Sequence, residues 1–140
     1  MNSTLFYLAS SGMLCVLLWI PYILNRIFAW GIPAFVSNYP SLKFPAEAPP
    51  IPVWAERAQR AHLNMVETLP AFVAVVLAAY LTDANNEFVT TWAAIFFWAR
   101  IFHASVYILG IPYLRTPIYL ISWAAVLVVG AQVVFYSSPN

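Results

Sequence analysis

Hydrophobic positions along this chain come in four long runs, separated by short polar or proline-rich stretches. The first run covers about residues 4–27, the second 54–81, the third 88–109 and the fourth 116–136. Each is long enough to cross a bilayer as a helix, since about 20 apolar residues span the hydrocarbon core. Pro21 falls near the end of the first run, where a missing N–H kinks or frays a helix. Phe28–Val53 holds Pro33, Pro40, Pro45, Pro49, Pro50 and Pro52, which predicts an extended, semi-rigid loop at headgroup level or folded over the bundle. Thr82–Glu87 is a short polar loop, and Gly110 with Pro112 ends the third run. Pro117 suits the first turn of a fourth helix. The pattern predicts one all-α domain over residues 1–140, an integral membrane four-helix bundle.

Composition agrees. Of 140 residues, 63% are hydrophobic and 8% charged, with a mean hydropathy of +0.78. Soluble domains carry roughly 25% charged residues, so this chain cannot cover a water-facing surface. The net charge of +1 and the lack of any basic run give no support to a nucleic-acid partner. A lone cysteine, Cys15, within an apolar run excludes an intrachain disulfide. Two histidines without metal-binding spacing give no metal site. The N-terminal run lacks a basic flank and a small-residue cleavage site, so it reads as a retained helix. Four spans put both termini on one side. Arg26, Lys43, Arg57, Arg60, Arg100 and Arg115 all fall on the other, which the positive-inside rule makes cytoplasmic, together with the long first loop.

The feature that resists a purely lipid-facing account is Trp54–Pro70, where Arg57, Arg60, Asn64 and Glu67 recur at helical spacing on one face. From Arg57 to Glu67 this stripe descends about 15 Å. Arg100, His103 and Tyr107 share a face of the third helix, and Arg115 and Tyr119 one of the fourth. Two readings stand side by side. Arg57 and Arg115 can snorkel to headgroups, and Glu67 can pair with Arg100 structurally. Alternatively the three stripes converge on a cavity, and their arginines suit a small ligand with carboxylates. The absence of paired interrupted helices argues against a transporter.

Glu56-Arg57-x-x-Arg60-Ala61-His62-x-Asn64-x-x-Glu67, followed by Leu69-Pro70, resembles the signature of the MAPEG family, the membrane-associated proteins in eicosanoid and glutathione metabolism. Ala99-Arg100-x-x-His103-x-x-x-Tyr107 and Arg115-Thr116-Pro117-Ile118 resemble the family's third and fourth helices, nearest to the microsomal glutathione transferase and prostaglandin E synthase branch. The resemblance covers about Trp54–Ser122. It implies a homotrimer that binds glutathione between subunits as co-substrate and acts on a lipophilic electrophile or hydroperoxide. By resemblance, Arg60, Asn64, Glu67, Arg100, His103, Tyr107 and Tyr119 hold glutathione, and Arg115 stabilises its thiolate as the catalytic residue. Tyr119 stands where the prostaglandin E synthase pattern has a second arginine. The first loop is longer and richer in proline than the family's, with Arg26 as the remnant of a basic cluster. These departures keep open a non-catalytic lipid-binding protein or accessory subunit of a larger membrane complex.

Overall fold

Two prolines and a glycine divide the N-terminal third of the chain. In the computed structural model, which describes residues 2–38, 43–44 and 47–136, α1 runs Ser3–Leu17 and α2 Ile20–Trp30. The break falls where Pro21 has no N–H to give the Leu17 carbonyl. Leu18 and Trp19 instead close the turn on Leu14 and Val16. Together α1 and α2 form the first apolar stretch long enough to cross a membrane, Ser3–Trp30.

The extended loop expected from Phe28 onward begins later than its prolines suggest. α2 continues through Phe28 to Trp30, Gly31 turns the chain at φ 83°, and a short helix α3 covers Ile32–Ser37. Pro33 sits in its first turn, where a helix has no use for the missing N–H. Asn38 ends α3 in the left-handed conformation, φ 58°. Residues 47–52, with Pro49, Pro50 and Pro52, carry no helix and lead into α4. Tyr39, Pro40 and Pro45 lie outside the described residues.

The remaining helices are α4 (Val53–Leu81), α5 (Glu87–Leu109) and α6 (Arg115–Tyr136). Each contains a stretch apolar and long enough to span. The Asn86 side chain caps α5 by accepting from the Val89 amide at 3.0 Å. Gly110 ends α5 in a left-handed cap, φ 74°. Pro70 lies inside α4 and leaves the Val66 carbonyl without its amide donor.

α5 packs against α1, α4 and α6, and α4 against α1, α2, α5 and α6. The central pair is therefore α4 and α5, flanked by α1 and α6. Its largest core joins Met65, Phe72, Val76 and Ala79 of α4 to Val89, Ala93 and Phe96 of α5 and Ala125 and Val129 of α6. The Phe72 and Phe96 rings stack at 3.8 Å. In lipid no hydrophobic force drives one helix onto another, so close contact through small residues such as Ala79, Ala93 and Ala125 does this work. At the other end Ala55 and Ala58 let α2 approach α4, with Tyr22 and Ile23 buried against them. There the Tyr22 hydroxyl lies 2.8 Å from His62 Nδ1, and Arg26 Nη2 donates to Gln59 Oε1 at 2.9 Å.

The arginine-rich ends meet. The Arg57 guanidinium lies so close to Gly110 that a Cβ there would overlap it. The start of α4 and the end of α5 thus share one end of the bundle, and the guanidinium stands where α5's last carbonyls concentrate negative potential.

Candidate functional site

Arg100 is the node of the polar half. Its spacing on α5 aims it inward, and it is 1% exposed. Both terminal nitrogens donate to Asn64 Oδ1 at 3.1 Å, and Nε donates to Met65 Sδ at 3.2 Å. Nη1 also reaches Ser122 Oγ at 3.5 Å, and that hydroxyl donates to the Tyr119 carbonyl at 2.7 Å. The Tyr119 ring lies 5.8 Å from Arg100 Cζ, close enough for a cation–π contact. One guanidinium thus ties α5 to both α4 and α6. The alternative of a Glu67–Arg100 ion pair is not realised among the described residues, because amide, thioether and hydroxyl acceptors surround the cation instead.

Beside this node a cleft of 190 Å³ is lined by Asn64, His103, Tyr107, Arg115, Thr116 and Tyr119. Arg115 opens α6, so its charge adds to the positive end of the helix. Its Cζ stands 5.0 Å from the Tyr107 ring centre. The His103 ring sits between Tyr107 and Tyr119, at 5.5 and 5.8 Å between centres. His103 is 2% exposed, and its Nδ1 is buried with no hydrogen-bond partner. A buried polar atom left unpaired is costly, more so in lipid. The cleft therefore offers a cation, two phenols, a hydroxyl and an amide, with no carboxylate in its lining. That set suits an anionic ligand.

Six of the eight sequence-derived site residues gather at the node and cleft: Asn64, Arg100, His103, Tyr107, Arg115 and Tyr119. Two face elsewhere. Arg60 and Glu67 are exposed on the single chain. Glu67 lines a second cleft, of 280 Å³ between α4 and α6, with Thr68, Ala71, Trp123, Val126 and Leu127, and with Tyr119 as the wall common to both. Sequence reading missed Ser122, Met65 and Thr116. Ser122 had a signal, since Arg115, Tyr119 and Ser122 follow one another at helical spacing on a single face of α6. Met65 had none, because a thioether among apolar residues reads as core.

The model of the MAPEG family matches residues 4–135. No curated protein and no solved structure matches the chain.

Proposed function

This chain belongs to the MAPEG family, and we propose that it is a membrane-bound glutathione-dependent transferase or peroxidase of the microsomal glutathione transferase and prostaglandin E synthase branch. The family's members include enzymes of both kinds. The observation that carries the reading is Arg115, a guanidinium without a carboxylate partner among the described residues, on a donor-lined cleft with Asn64, His103, Tyr107 and Tyr119.

A free thiol with pKa of about 8.5 is a minor fraction thiolate at neutral pH. Arg115 favours the anion and so raises the concentration of nucleophile. With an electrophile, the sulfur forms a new S–C bond as that carbon loses its leaving group with the bonding electron pair or, in an addition, as a C=C π bond opens and the neighbouring carbon takes up a proton. With a hydroperoxide, the thiolate attacks oxygen, the O–O bond breaks, and an alcohol leaves with glutathione sulfenic acid, which a second glutathione converts to disulfide and water. Arg60 and Glu67 complete the ligand's polar contacts from a neighbouring copy's side of the pocket. The lipophilic partner approaches through the apolar groove between α5 and α6, where Ala99 and Ile118 directly precede Arg100 and Tyr119.

A homotrimer is part of this proposal. Exposed Arg60 and Glu67 at membrane depth need a polar surface opposite them. A 190 Å³ cleft is also smaller than the roughly 300–1,000 Å³ of usual ligand sites, so a second subunit supplies the missing wall. The arginine-rich end, with the long loop, faces the cytoplasm and both termini face away.

Thiolate absorbance on adding glutathione to the purified protein tests the reading. Arg115→Ala is expected to abolish the signal and lower kcat/KM for a generic electrophile about a hundredfold. No thiolate and no conjugation by wild type would overturn it. Native mass spectrometry from detergent is expected to show three subunits, and a monomer would remove the shared pocket.

Tyr119 favours a second reading. A phenol at the second-arginine position supplies no cation, and here it packs on Arg100 and His103. A chain without catalysis would serve as a lipid-binding protein or accessory subunit. Stable co-purification with a larger membrane complex, with no glutathione binding by calorimetry, would favour this reading over the enzyme.

A further inference from the structure

Arg100 was expected to touch the ligand, yet four of its five N–H groups donate inside the bundle. Both terminal nitrogens point at one atom, Asn64 Oδ1. A guanidinium can only donate, so the amide has a single workable orientation: its oxygen faces Arg100 and its NH2 faces away. Among the described residues nothing accepts from Asn64 Nδ2, while Asn64 lines the cleft. From these facts we propose that Arg100 is a positioning residue that locks the Asn64 amide with its NH2 toward the cleft, so that the ligand end seated there must present an acceptor.

The lock is built from three helices. α5 supplies the guanidinium, α4 the amide and the Met65 thioether, and α6 the Ser122 hydroxyl, itself tethered to the Tyr119 carbonyl. Without Arg100 the amide could flip and offer its carbonyl to the cleft, where it would repel a carboxylate. With Arg100 in place, Asn64 joins Arg115 and Thr116 in an array that can donate to an anion. The inference rests on the glutathione reading for the identity of the ligand, but not for the existence of the lock.

Asn64→Asp separates the two roles. One carboxylate oxygen keeps the partnership with Arg100, while the other replaces the cleft-facing donor with a negative acceptor. Ligand-free Asn64→Asp protein in detergent is therefore expected to melt at or above the wild-type midpoint, whereas Asn64→Ala melts lower. By calorimetry Asn64→Asp is expected to bind glutathione at least about tenfold more weakly, with the kinetic loss in KM for glutathione far more than in kcat. Arg100→Lys, which cannot hold one oxygen from two nitrogens, is expected to weaken binding by a similar factor. Its effect on binding should largely vanish in the Asn64→Asp background. Unchanged glutathione affinity in Asn64→Asp, or an Arg100→Lys effect that adds in full to it, would overturn the inference. If wild type binds no glutathione, the enzyme reading fails with the ligand half of this proposal. The lock is then judged by melting alone: Asn64→Ala as stable as wild type would refute it, and non-additive losses in Asn64→Ala and Arg100→Lys would uphold it.

Discussion

The two halves of the bundle use the same three helices in opposite ways. Toward the Thr82–Asn86 turn, α4, α5 and α6 meet through fully buried Phe72, Val76, Ala79, Val89, Ala93, Phe96, Ala125 and Val129. Toward Gly110 they meet through Arg100, Asn64, Ser122 and Tyr119. The apolar half is held by shape, since small residues bring the backbones close and two phenyl rings stack. The polar half is held by one buried cation whose directional bonds fix the rotation of each helix about its axis. Shape tolerates rearrangement at the cost of stability, whereas directional bonds define which atoms face the cleft. Packing by shape and packing by directional polar bonds are thus segregated along the bundle axis.

This contrast can be broken from either side. Phe72→Ala removes the stacked ring and is expected to destabilise the protein by about 3 kcal/mol, read by thermal unfolding in detergent. Glutathione affinity of the folded fraction should stay unchanged, and a parallel loss of affinity would show that the halves are coupled. Asn64→Asp is the mirror experiment, with affinity lost and the midpoint kept. A smaller effect is expected at the junction of the arginine-rich ends. Gly110→Ala places a Cβ on the Arg57 guanidinium at a φ of 74°, which costs about 1–2 kcal/mol. The smallest belongs to Tyr22→Phe, which deletes the hydrogen bond to His62 and should cost about 0.6 kcal/mol. A larger loss there would mean that α2 is anchored to α4 by polar contacts more than by the Ala55 and Ala58 contact.

Much of the fold was legible in the sequence. The hydrophobic runs place the four spans, and the helical spacing of Arg57, Arg60, Asn64 and Glu67 marks the polar face of α4. The loop was less so: Pro33 reads as a breaker, yet at the start of α3 it is compatible with a helix, and Gly31 made the turn that separated the two. For the site, periodicity put Arg100, His103 and Tyr107 on one face and Arg115 with Tyr119 on another. Ser122 on that second face went unused, because a lone serine in a membrane helix reads as packing.

Which residues share a helix face, and at what relative depth, can be read along the chain, because 3.6 residues per turn and 1.5 Å of rise follow from the backbone alone. How those faces are rotated against one another emerges on packing, because rotation depends on side chains interlocking between helices far apart in the chain. That rotation buried Arg100 on Asn64 in place of Glu67, left Arg60 and Glu67 on the outer surface, and set Tyr119 between two clefts. It also seated the Arg100 guanidinium among the Asn64 amide, the Met65 thioether and the Ser122 hydroxyl.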